Sequence, residues 1–165
     1  MIFLFITSGL FLGWTLGAND AANVFGSAVG SRMVSFTRAA VIASVFVILG
    51  AVLQGAGAAG TLGRLGSVNA MGGAFTVALA AALTVFAMTR AGLPVSSTQA
   101  IVGAIIGWNF FTGNKVDTGA LTQIVTTWIT GPVLGALFAY LLYHLVKITR
   151  RRIKVHLLLY ENWLR

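Results

Sequence analysis

Five apolar runs constrain this chain more than any other feature: about Ile2–Leu16, Thr37–Ala56, Gly72–Thr89, Leu93–Phe111 and Leu121–Val146, with Gly57–Met71 and Thr112–Gly119 between them reading as loops. Several approach or exceed the ~18–20 residues that carry a helix across a bilayer. Only 8% of the 165 residues are charged, against roughly 25% in a soluble domain. A chain this poor in polar groups lacks the surface to cover itself in water. The runs do not alternate as the strands of a membrane barrel do. The expected fold class is therefore all-α, a polytopic transmembrane helical bundle. Residues 1–146 form its membrane unit, and residues 147–165 a basic tail or the start of a central linker.

The charges that remain are mostly basic, with eleven Lys and Arg against three Asp and Glu. They flank the apolar runs, which points to cytoplasm-facing loops and anionic lipid, not to nucleic acid. The start, "MIFLFITSGLF", lacks a basic n-region and reads as a first membrane segment, not a cleaved signal peptide. With five crossings and the N-terminus outside, Arg32, Arg38, Arg90, Lys147, Arg150, Arg151, Arg152, Lys154 and Arg165 face the cytoplasm. Only Arg64 and Lys115 face out, and the tail is cytoplasmic. An odd number of crossings means that a second copy joined in tandem would insert upside down, the plan of inverted-repeat transporters. There are no cysteines, which excludes disulfides and thiolate metal sites.

One polar stretch interrupts this pattern. "GANDAANVFGSAVGS", Gly17–Ser31, carries Asn19, Asp20 and Asn23. An aspartate at membrane depth costs ~2.5–3.5 kcal/mol on insertion scales and usually marks an ion or proton path. Its hard oxygens suit Na+ or proton exchange; the alternative is a helix cap at Ala21. Ile2–Leu16 alone spans only ~22 Å as helix, short of a ~30 Å hydrocarbon core. A broken helix or helical hairpin, with the break at Gly17–Asp20, is therefore expected.

A second stretch, "GLPVSSTQAIVGAIIG", Gly92–Gly107, places Ser96, Ser97 and Thr98 after Pro94 and before an apolar run. Hydroxyls beside free N–H groups at a helix start make either a site for a tetrahedral oxyanion or an ordinary N-cap. The GxxxG pairs Gly13/Gly17, Gly26/Gly30, Gly103/Gly107 and Gly131/Gly135 suit close helix packing. Gln54 suits a hydrogen bond between helices. No nucleophile–base pair, phosphate loop or paired carboxylates appear, so no enzyme activity is expected.

These two stretches resemble the paired signatures of the inorganic phosphate transporter (PiT) family, approximately G-A-N-D-x-A-N-x-F-G-[ST]-x-V-G-S and L-P-[VI]-S-x-T-H-x-I-V-G-x-x-I-G. The resemblance implies symport of inorganic phosphate with Na+ or H+ in the plasma membrane, with no other cofactor. It also implies two inverted halves around a central site. By position, Asp20 and Asn19 would bind the cation, with Na+ on Asp20, while Ser96, Ser97, Thr98 and Asn23 would bind phosphate. Two positions depart from the family: Val47 replaces a membrane glutamate and Gln99 replaces a histidine. The signature occurs once, so the chain is expected to supply one half and to need a second, inverted partner. A dimer of oppositely inserted copies would also rebuild the site, although the charge bias opposes it. The alternatives are a sulfate or other oxyanion permease of the same fold, and a non-transporting truncated membrane subunit.

Overall fold

The computed structural model describes residues 2–68 and 71–152. All regular structure among them is helical: α1 (Ile2–Gly30), α2 (Phe36–Leu65), α3 (Met71–Arg90), α4 (Ser97–Thr112) and α5 (Thr118–Arg152). Three of these helices, α2, α3 and α5, are long and apolar enough to cross a membrane. The chain divides into two compact units, Met1–Ala120 and Leu121–Arg165.

Three helices of the first unit end in the same way. Arg32, Gly92 and Gly113 take left-handed φ values of 60, 71 and 71° after α1, α3 and α4. The following N–H reaches back five residues: Met33 to Ala28 (3.0 Å), Leu93 to Met88 (3.0 Å) and Asn114 to Asn109 (2.9 Å). This closes carbonyls that lack helical partners, which is essential where water is scarce. The next helices start on side-chain caps. Ser35 accepts from the Arg38 N–H, and Asp117 from the Ala120 N–H at 3.0 Å.

Two expectations about helix boundaries fail. α1 runs without a break through Gly17–Asp20. Glycine without proline leaves the hydrogen-bond ladder intact, and Asn19 spends its side chain on another element. α2 continues through the glycine-rich Gly57–Leu65 expected as loop; alanine and leucine between the glycines sustain it. The break in helical backbone lies instead at Leu93–Ser96, where Gly92 closes α3 and Pro94 lacks a donor. The apolar run expected from Leu93 thus begins as a helix only at Ser97.

Within the first unit, α1 and α3 lie side by side and parallel. Phe5 meets Phe75 (6.0 Å between ring centroids), Trp14 meets Phe86 (6.0 Å), and Asn19 meets Thr89. α4 returns antiparallel along α3, so that Trp108 covers Gly73 near the start of α3. The buried face of α3 is built from small residues, Gly73, Val77, Ala81, Ala82 and Val85, which let its two neighbours come close. At the end of α4, Asn109 is fully buried. Its Nδ2 donates to the Ile105 carbonyl (2.8 Å), and its Oδ1 accepts from the Ser67 N–H (3.0 Å). Beside it the Asp117 N–H donates to the Leu65 carbonyl at 2.9 Å, tying the end of α2 to the loop after α4.

Length sets depth. α1, with 29 residues, is ~44 Å long, while α3 and α4, with 20 and 16, are ~30 and ~24 Å. Because Thr89 lies beside Asn19, the last ten residues of α1, Ala21–Gly30, extend ~15 Å past the α3–α4 connection.

The second unit is the long helix α5, with Pro132 inside it and apolar residues exposed along its length. Its rings cluster at Tyr140, Tyr143 and His144, and Lys147 lies over Tyr143 at 5.8 Å. The basic tail expected at 147–165 is helical as far as Arg152, and the rest lies outside the described residues.

A Cβ added at Gly73 would stand 2.7 Å from Trp108 Cζ2, whereas one added at Gly72 meets nothing within 4 Å. Gly73→Ala is therefore expected to lose ~1–3 kcal/mol of stability by overpacking. Gly72→Ala is expected to be neutral or to gain up to ~1 kcal/mol. Thermal unfolding of the two variants in detergent checks the contrast.

Candidate functional site

Three polar residues of α1, Ser8, Thr15 and Asn19, are buried. Their spacing of seven and four residues places them on one face, the one turned to α3. Ser8 and Thr15 satisfy themselves within the helix, donating to the carbonyls of Phe5 (3.3 Å) and Leu12 (2.8 Å). Asn19, 4% exposed, reaches outward instead.

Its Nδ2 donates to the Val95 carbonyl at 2.8 Å and to Asp20 Oδ1 at 2.9 Å. Its Oδ1 accepts from the Thr89 hydroxyl at 3.5 Å. Two acceptors fix which way the amide faces. Asn19 therefore joins α1 to the end of α3 and to the extended residues before α4. The Val95 carbonyl lies where no helix can pair it, and this side chain supplies its donor.

Asp20 completes the junction. Its Oδ1 also accepts from the Ser97 hydroxyl at 2.7 Å. Both of its hydrogen bonds fall on Oδ1, which leaves Oδ2 uncommitted on an exposed residue. Ser97 is the first residue of α4 and is buried, so the carboxylate sits beside the positive end of that helix. Ser96 is the N-cap, accepting from the Gln99 N–H at 3.3 Å. The first helical bond of α4 runs from the Ala100 N–H to the Ser96 carbonyl (3.1 Å). The N–H groups of Ser97 and Thr98 precede it and emerge from the helix end.

The structure thus bonds Asn19, Asp20 and Ser97 together, with Ser96 next to them. Asn23, one turn beyond Asn19, and Thr98 are exposed and carry no side-chain bond to that group. Gln99 engages only its backbone. Gln54 is exposed on α2 and its side chain makes no hydrogen bond among the described residues, and Val47 is exposed on the same helix. The sequence reading missed Thr89. The signal for it is the position of its hydroxyl at the last turn of α3, just before the Gly-Leu-Pro break.

Asn19→Leu would leave the carbonyl of the half-buried Val95 without a donor. The variant is expected to lose ~1–3 kcal/mol. It should also become cleavable by protease at Leu93–Ser96, while Asn23→Leu should not. Limited proteolysis with mass readout checks both.

The sequence profile of the phosphate transporter family matches residues 16–163. A candidate phosphate permease of Mycobacterium bovis is 33% identical over 174 residues, covering 93% of this chain and 30% of that protein. A candidate phosphate permease of Thermococcus kodakarensis is 34% identical over 155 residues, covering 84% of this chain and 36% of that protein. A sodium-dependent phosphate transporter of Plasmodium falciparum is 34% identical over 150 residues, covering 82% of this chain and 22% of that protein. The chain therefore spans about a third of the length of the curated relatives it matches, or less. No solved structure matches it. A profile match over most of the chain, with both sequence motifs meeting in one bonded junction, places this membrane protein in the phosphate transporter family.

Proposed function

We propose that the chain supplies one unit of a permease that carries inorganic phosphate across the plasma membrane together with a cation. The observation that carries this reading is the 2.7 Å bond from Ser97 to Asp20, which makes one site of two motifs 77 residues apart. Phosphate would lie at the start of α4. The N–H groups of Ser97 and Thr98, the hydroxyls of Ser96, Ser97 and Thr98, and the Asn23 amide offer donors without a buried positive charge. Sulfate has the same shape and would use the same donors.

The carboxylate makes a cation necessary. Two unit negative charges ~4 Å apart repel by about 4 kcal/mol at an effective dielectric of ~20. A Na+ on Asp20 Oδ2, or a proton there, removes most of that repulsion, so anion and cation bind together. With Val47 on α2, Asp20 is the single carboxylate within a helix among the described residues. Na+ is favoured by the name of the Plasmodium relative. In this reading Asn19 positions Asp20 and the α4 start, since its amide oxygen already accepts from Thr89. The exposed side of Asp20, Asn23 and Thr98 is the face that a second, inverted unit would cover. The units would then rock about the shared site. Ala21–Gly30 and the basic tail would face the cytoplasm.

The test is uptake of radiolabelled phosphate by the chain reconstituted with its partner unit, under a Na+ gradient and under an H+ gradient. Asp20→Ala is expected to abolish gradient-driven uptake. Ser97→Ala, which removes a hydrogen bond to a charged group, is expected to reduce it about tenfold or more. Uptake that ignores both gradients and the Asp20 substitution would overturn the coupling. Equal competition by sulfate would widen the substrate to oxyanions in general.

A further inference from the structure

α2 buries side chains against the rest of its unit near its two ends. Ala39 follows the turn from α1, and Leu65, whose carbonyl accepts from the Asp117 N–H, lies at the other end. At roughly 100° per residue, Ala39, Ala43, Gln54, Thr61 and Leu65 fall within ~80° around the axis, so both ends turn the same face inward. Ala43 and Thr61 on that face are half-buried. Between them Val47, Gly50, Gln54 and Gly57 are exposed, and a Cβ added at Gly50 or Gly57 meets nothing within 4 Å. The open stretch is ~27 Å long, against ~10–12 Å for the diameter of a helix with its side chains.

Gln54 makes this opening chemically costly. α2 has 30 residues and is long and apolar enough to cross a membrane, for which ~20 residues suffice. Every stretch of that length within Phe36–Leu65 contains Gln54. When α2 crosses, the amide is therefore at hydrocarbon depth wherever along the helix the crossing is set. Lipid chains offer it no hydrogen bond, and an amide left unpaired in an apolar medium is expensive. Its side chain has no partner among the described residues. The hydrogen bond between helices that the sequence suggests for Gln54 is thus not made within α1–α4.

We propose that the inward face of α2 between Ala43 and Thr61 seats one membrane helix of the inverted partner, which presents a Ser, Thr, Asn or Gln side chain to the Gln54 amide. Gly50 and Gly57, one turn to either side of Gln54, let the two backbones approach closely enough for that bond. The face continues the surface that α2 already uses at Ala39 and Leu65, so the incoming helix completes an existing interface. This chain covers 30% and 36% of two curated relatives, which leaves most of their length for a partner to supply. The identity of the occupant rests on the proposed function, whereas the need of Gln54 for a partner does not.

The test places photoreactive benzoylphenylalanine at position 47, on this face, or at position 45, on the opposite one, in the full chain in its native membrane. After irradiation the adducts are identified by mass spectrometry. Position 47 is expected to capture a helix of a second polypeptide of the phosphate transporter family, and position 45 to capture lipid. Gln54→Leu is expected to lower the adduct from position 47 about threefold or more, the effect of one interhelical hydrogen bond, and Gln54→Asn to lower it less. Capture at position 47 of lipid alone, of α5 of the same chain or of an unrelated protein would overturn the proposal. So would equal capture of the partner from position 45, or an adduct that Gln54→Leu leaves undiminished. Because the chain has no cysteine, Gly57→Cys carrying a benzophenone maleimide gives the same reading should position 47 not tolerate the probe. Phosphate uptake that ignores both ion gradients while the adduct persists would count against coupled transport and not against the seat on α2.

Discussion

A carbonyl that no helix can pair must find a donor elsewhere when there is no water to supply one. The Val95 carbonyl is in that position, and the Asn19 amide meets it at 2.8 Å. Much follows from this bond. It holds the extended residues after Pro94 against α1. It thereby sets where α4 can start, and it brings Ser97 within reach of Asp20. It also explains why α1 stays whole: the asparagine serves a neighbour's backbone, so its own helix has no need to open.

The junction has an electrostatic logic of its own. A carboxylate near the start of α4 is favourable to that helix and unfavourable to an anion that would use the same helix end. The two tendencies are reconciled only when the carboxylate is neutralised. In the proposed reading, one group both orders the anion's donors and repels the anion, which would link the occupancy of one ligand to that of the other.

The fold class was legible because run length and lack of charge leave few other solutions. The two motifs were legible as sites because polar residues are scarce enough here to stand out. Helix limits were less so. Gly17 looked like a breaker, yet its lack of a side chain costs little when the ladder around it is complete. Gly57, Gly60 and Gly63 looked like loop residues but lie inside α2, where no proline interrupts. The bonds by which Thr89 and Asn109 join separate elements were harder to read, since those partners lie 70 and 42 residues away.

The two ends of α4 are fastened by different chemistry. At its C-terminal end Asn109 and the Asp117–Leu65 pair bind backbone to backbone or amide to backbone, among neutral groups that no ion would displace. At its N-terminal end the fastening also runs through Asp20 Oδ1, an atom of a charged group. Whatever draws on the charge of Asp20 would therefore bear on the Ser97 bond alone, while the Asn109 bonds at one end and the Asn19–Val95 bond at the other keep the 16-residue helix in place.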